Sequence, residues 1–315
     1  MSEVTEKLFK DYEGAEWFTH NGMEPDEASK KIMAELMKKL EAYPMAPGNE
    51  LDFFDDRTPE EMTREDIDAP HGLKLYHYTP DKKIPDEDRI VFYVHGGGFM
   101  RGNKYWCRYN AINQAKNLGL PVYACEYRYV PEYKYPSGID DVEWAWNYLV
   151  NTLKIDPKKI IITGESAGGT YEMALLVRLK RQGRELPPSC VCISGFLDYA
   201  AESPSYTLNN GIDPLFSIDF QEMIPRYLND VSIVHDPEVS PKNADVAGFP
   251  ETIFFADDTE VFVSDALILA EKLHKAGIKT EAYITHGLTH CYAFEMPELP
   301  ASKVCYNLMR KFLGL

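Results

Sequence analysis

Ser166 stands in "KKIIITGESAGGTYEMALLV", between a β-rich run and a stretch of helix formers. A serine hydroxyl is a poor nucleophile until a neighbouring base takes its proton, so the surroundings decide whether it reacts. Gly164-Glu165-Ser166-Ala167-Gly168 reads G-x-S-x-G in a strand–turn–helix setting. A nucleophile on so sharp a turn needs small residues two before and two after it, so that strand and helix can approach. The turn lifts the Ser166 hydroxyl above the sheet edge and aims the Ala167 N–H at the place where negative charge would develop.

Upstream, "RIVFYVHGGGFMRGN" ends another β-rich run in His95-Gly96-Gly97-Gly98. Successive glycines can turn their N–H groups inward with no Cβ to block a ligand. Neither G-K-[ST] nor the G-x-G-x-x-G spacing follows, so a nucleotide loop is not indicated. Gly97, Gly98 and Ala167 are the expected oxyanion donors. A base should come late in the chain, and His286 and His290 in "THGLTHCYAF" are the candidates. Gly287 separates them and no H-E-x-x-H appears, so no metal site is expected. Between serine and histidine, "FFADDTEVFVSDA" offers Asp257, Asp258 and Glu260 near a strand end and Asp265 further on. Spacing alone chooses neither the acid nor the histidine.

These residues need a sheet to carry them. From Leu73 onward the runs "LKLYHY", "RIVFYVH", "PVYACEYR", "KIIITGES", "CVCISGF", "ETIFFA" and "TEAYIT" read as strands. Helical stretches lie between them at about 106–118, 138–153, 168–182, 263–276 and 301–313. Such alternation predicts a mostly parallel sheet with helices on both faces. Residues 1–65 read as a polar, helical cap segment, in which Ala28, Ile32, Leu36 and Leu40 form one apolar face. The catalytic domain is expected over 66–315, with a second cap segment at 197–250 containing one helix in "SIDFQEMIPRYL". Trp17, Phe18, Met33 and Met37 are candidates to line a pocket, although such residues more often pack.

A formal charge of −17 argues against nucleic acid, which requires clustered Lys and Arg. No apolar run reaches the roughly 20 residues needed to span a bilayer. The polar start "MSEVTEKLFKDYEGAEW" does not read as a secretory leader, so a cytoplasmic protein is expected. Six cysteines show no CxxC and are expected reduced and mostly buried; Cys190 and Cys192 are read as facing opposite sides of their strand.

Taken together, His95-Gly96-Gly97-Gly98-Phe99, "YRYVPEYKYPSGIDD" at 127–141 and Gly164-Glu165-Ser166-Ala167-Gly168-Gly169 resemble the α/β-hydrolase esterases of the hormone-sensitive-lipase family. The resemblance runs from about residue 73 to the C-terminus. It implies an α/β-hydrolase fold with a sheet of about eight strands, no cofactor and a Ser–acid–His triad. It also implies that "YRYVPEYKYPSGIDD" positions the glycine loop. The family's E-V-L-x-D-D pattern matches "EVFVSDA" and puts the acid at Glu260. Its G-x-x-H-x-F pattern falls on Gly287 to His290 and makes His290 the base, with His286 a bystander. His95, Gly96 and Glu165 match the supporting motif. Where the family commonly has Asn-Leu-Ala this chain has Thr170-Tyr171-Glu172, so its pocket is expected to differ in detail.

The implied activity is serine carboxylesterase chemistry on short acyl esters, acetyl to about hexanoyl, with carbohydrate or small-metabolite deacetylation among the readings. Amide or formamide hydrolysis on the same triad, and a ligand-binding homologue without catalysis, are the alternatives. A homodimer is implied by the family alone.

Overall fold

The computed structural model describes residues 7–43, 50–85, 87–216 and 220–315, with 220–223 described by backbone alone. Its strands are β1 (Phe18–Asn21), β2 (Met62–Asp68), β3 (Lys74–Pro80), β4 (Ile90–Val94), β5 (Val122–Cys125), β6 (Ile160–Glu165), β7 (Ser189–Ile193), β8 (Glu251–Asp257) and β9 (Thr280–Thr285). They form one sheet in the order β1-β9-β8-β7-β6-β4-β5-β3-β2. Pairing is parallel except between β2 and β3 and between β3 and β5. The longer helices are α1 (Glu27–Glu41), α2 (Tyr105–Leu118), α3 (Ser137–Asn147), α4 (Ala167–Arg181), α5 (Val263–Lys275) and α6 (Pro300–Leu313).

All seven strands expected from Leu73 onward form; in β4, β6 and β7 runs of apolar residues buried on both faces suit central parallel strands. Alternate residues divide between two cores. Phe92, Val94, Ile160, Ile162, Phe254 and Ile284 lie on one side, with residues of α3, α4 and α5. Val91, Tyr93, Ile161, Val191, Ile253 and Phe255 lie on the other, with residues of α2 and α6. Cys190 and Cys192 share the first core, which corrects their reading as opposite-facing. Side chains two apart on a strand point the same way, and only Val191 between them faces the other side.

The sheet has nine strands rather than about eight, and both unexpected ones are at its edges. "FTHN" of β1 is four residues long and "MTREDID" of β2 is mostly charged, so neither carries a strand-like apolar pattern. Charges on an edge strand hinder pairing with another chain. The expected division at 65/66 falls inside β2, and residues 18–21, read as part of a helical cap, join the sheet. Trp17 packs beside Tyr12 and His274 at that edge, not at the pocket described below. The 197–250 stretch carries the short helices Ser205–Leu208 and Phe220–Tyr227. The first three residues of "SIDFQEMIPRYL", and residues 44–49 of the excursion before β2, lie outside the described residues.

Candidate active site

β6 runs directly into α4, leaving only Ser166 for the turn, with φ 54° and ψ −122°. A non-glycine residue in that region costs about 1–3 kcal/mol and persists only where its surroundings hold it. Here the Ser166 N–H donates to Ile193 O at 3.0 Å and its carbonyl accepts from Phe196 N at 3.2 Å. Gly168 explains the motif's last position: a Cβ there would stand 2.0 Å from Val94 O. Only glycine lets the first turn of α4 rest on the end of β4.

The glycine loop follows β4. Gly97 takes φ 100°, and a Cβ on it would lie 2.0 Å from Arg101 O. Glu165 ties this loop to the serine turn. Its Oε1 accepts from the Gly96 N–H at 2.9 Å, Tyr93 OH at 2.6 Å and Asn110 Nδ2 at 3.2 Å. Burial pushes the Glu165 carboxyl up to about 8, so it carries its proton near neutrality. His95 stacks on Tyr127 with 4.2 Å between ring centroids, and its Nε2 meets Asn103 Oδ1 at 2.8 Å. Burial pulls its imidazole down to about 4, which keeps it neutral. The Tyr127 hydroxyl donates to the carbonyls of His95 and Gly96. The next residue, Arg128, is held by Asp141 through Nε and Nη2 at 2.8 and 2.9 Å. "YRYVPEYKYPSGIDD" therefore grips the glycine loop through Tyr127.

The three carboxylates at and just after the end of β8 separate by partner. Asp257 folds the loop, accepting from the Thr259 hydroxyl at 2.6 Å, Thr285 Oγ1 at 2.8 Å and the Leu288 N–H at 2.9 Å. Asp258 turns to His20 at 2.9 Å and His286 at 2.8 Å. Glu260 alone meets His290, with Oε2 2.7 Å from Nδ1. Its Oε1 accepts from Ser194 Oγ at 2.8 Å and the Asp257 N–H at 2.7 Å, which fixes the carboxylate plane. Asp265 lies further away and holds the start of the 197–250 stretch, accepting from the N–H groups of Leu197 and Asp198 at 3.0 Å.

His290 is buried, and its Nε2 has no hydrogen-bond partner among the described residues. Burial disfavours charge on the imidazole, but the hydrogen bond and charge of Glu260, helped by Asp213 and Glu295, outweigh it and raise its pKa. Phe216 and Phe262 flank the ring at 4.9 and 5.3 Å.

Ser166, His290, Gly97 and Gly98 line a common cavity of about 300 Å³. Met37 and Leu40 of α1 line it with Trp106, Leu215 and Phe216. Of the four candidate N-terminal residues, Met37 reaches the cavity; Trp17, Phe18 and Met33 do not line it. Arg101 and Glu295 also line it, and sequence reasoning missed both. The signal available was weak: each is a charge beside a motif, three residues after Gly98 and five after His290. Among the described residues no cluster of three or more His, Cys, Asp or Glu could hold a metal ion, and no helix is long and apolar enough to cross a membrane.

Ser166 thus sits on a strand–turn–helix at the C-terminal end of β6, inside a mostly parallel sheet, and the comparisons with known proteins agree with that architecture. The α/β-hydrolase-fold family model matches residues 91–294. An esterase from Acinetobacter venetianus is 31% identical over 216 residues, covering 68% of this chain and 71% of that one. An acetyl-hydrolase from Streptomyces hygroscopicus is 28% identical, covering 82% and 87%. The crystal structure of a hormone-sensitive lipase from a metagenome library superposes with a TM-score of 0.77 at 24% identity, covering 93% of this chain and 99% of that one. This chain belongs to the α/β-hydrolase family.

Proposed function

We propose that this carboxylic ester hydrolase acts on short-chain acyl esters through an acyl-enzyme formed on Ser166. One observation carries the reading: the buried Glu260–His290 pair, 2.7 Å apart, ends in an unpartnered Nε2 at a cavity that Ser166 also lines. Neutral His290 takes the Ser166 proton as Oγ bonds to the ester carbonyl carbon. The carbonyl electrons move to oxygen, and the N–H groups of Gly97, Gly98 and Ala167 receive that charge. Each such donor is worth about 3 kcal/mol in the transition state. Glu260 holds the imidazole tautomer and offsets the imidazolium charge. Collapse breaks the bond to the alkoxy oxygen, which leaves as alcohol with the proton from Nε2. A water then repeats the sequence on the acyl-enzyme and releases the acid.

The preference for short acyl groups is supported by a cavity at the lower end of the usual range for small-molecule sites, walled by Met37, Leu40, Trp106 and Phe216. The acetyl-hydrolase of Streptomyces hygroscopicus is consistent with it. In this reading the segment carrying α1 serves as the cap, which is supported by Met37 and Leu40 lining the cavity. A cytoplasmic location belongs to the same proposal, supported by six buried, unpaired cysteines. Rates on p-nitrophenyl esters from acetate to dodecanoate, with Ser166→Ala as blank, test the chain-length claim. A steep fall beyond hexanoate is expected; rates that stay flat or rise with length would overturn it.

A further inference from the structure

Two charges line the cavity that the proposed mechanism leaves unused. Glu295 closes the short helix Tyr292–Glu295 that begins two residues after His290. It is 4% exposed, and its Oε2 is buried without a hydrogen-bond partner among the described residues. Its backbone N–H donates to Cys291 O at 3.1 Å, so the carboxyl is presented from an ordered turn. Burial pushes that carboxyl up to about 7, against the pull of positive charge on His290 and Arg101. A buried carboxyl oxygen with no donor is costly, and native structures keep one where something else supplies the donor. This one lines the cavity shared by Ser166 and His290, where a bound substrate can supply the missing donor.

The surroundings narrow the donor's chemistry. Arg101 and His290, which becomes cationic during reaction, disfavour an ammonium group. Glu41, Glu260 and Glu295 disfavour a carboxylate. A neutral hydroxyl meets neither objection, since it can donate to Glu295 and accept from a guanidinium. Its place in the substrate follows from the proton path: His290 hands its proton to the leaving alcohol, and the Glu295 helix starts just beyond His290. We infer that Glu295 is a specificity-determining residue whose free carboxyl oxygen accepts a hydrogen bond from a second hydroxyl on the leaving alcohol. The enzyme therefore takes monoesters of diols, polyols or sugars in preference to esters of simple alkanols. This inference rests on the ester-hydrolase reading of the site.

The test compares kcat/KM for 2-hydroxyethyl acetate and propyl acetate, which have equal numbers of heavy atoms, by titrating the acid released. Above about pH 7, where Glu295 is a carboxylate, a hydrogen bond to this charged acceptor corresponds to a preference of about tenfold to a hundredfold. The native enzyme should show it for the hydroxyethyl ester. Glu295→Met should bring the ratio close to one, and Glu295→Gln, which keeps the shape and an uncharged acceptor, should fall between. Fluorophosphonate labelling of each variant reports whether its site is folded. A monoacetylated pentoside set against cyclohexyl acetate separates the sources: a larger preference in this pair marks a sugar alcohol, a smaller one a compact diol. A ratio near one in the native enzyme, or one that survives Glu295→Met, overturns the role of Glu295 while leaving the esterase reading intact. No turnover of either acetate or of p-nitrophenyl acetate would overturn both.

Discussion

Glu260 Oε2 stands 2.7 Å from His290 Nδ1, while Oε1 is held by Ser194 Oγ and the Asp257 N–H. The carboxylate is thus fixed on both oxygens, and the imidazole it orients has one nitrogen left to face the cavity. Glu260→Gln keeps the shape and removes the charge. It should lower kcat by about 10²- to 10⁴-fold on p-nitrophenyl acetate. Asp258→Asn, two residues away and bonded to His20 and His286 instead, should keep most of its turnover. Equal losses in the two variants would contradict the choice of acid.

The pH dependence follows from the same pair. Burial opposes charge on His290, but Glu260 and the neighbouring acids prevail and raise its pKa above 6.5. A protonated imidazole cannot accept the serine proton, so kcat/KM should fall as pH drops, with a midpoint above 6.5. Removing the Glu260 charge removes the main raising influence. The residual activity of Glu260→Gln should therefore show its acid limb at lower pH. A pH–rate profile from 5 to 9 on both proteins, about four units, checks the sign.

Buried carboxyls also set the pH dependence of stability. Burial raises Glu165 to about 8, Asp265 to about 7 and Asp257 to about 6. In the unfolded chain each ionises near 4, so between about 4 and 8 the folded state binds more protons. The sign is then fixed: their stabilising contribution is full below about pH 4, declines from there as pH rises, and is fully lost once pH has passed the folded values. Each differing proton costs about 1.4 kcal/mol per pH unit. Glu165→Gln, whose carbonyl oxygen can still accept from Tyr93 and the Gly96 N–H, should flatten this decline. Urea midpoints measured between pH 5 and 9, about four units, read it directly. An unchanged slope would mean that Glu165 is not protonated in the fold.

How much of this was legible beforehand depends on what kind of constraint each residue obeys. The serine turn and glycine loop were readable because backbone geometry dictates them: no side chain fits at Gly97 or Gly168. The central strands were readable because both their faces are buried. β1 and β2 were not, since edge strands need no apolar alternation and β2 carries charges throughout. Choosing among Asp257, Asp258 and Glu260 needed the family resemblance, because all three lie within one turn of chain and only their partners distinguish them. Arg101 and Glu295 stand far apart in the chain and both line the cavity, a juxtaposition that no local pattern encodes.

The central claim is that Ser166 is the nucleophile. Its most direct test is intact mass spectrometry of the purified protein after a fluorophosphonate, beside Ser166→Ala treated in the same way. The account predicts a single adduct on the native chain, mapped by digestion to the peptide containing Ser166, and none on the variant. A folded native protein that never labels, or an adduct that persists in Ser166→Ala, would contradict it.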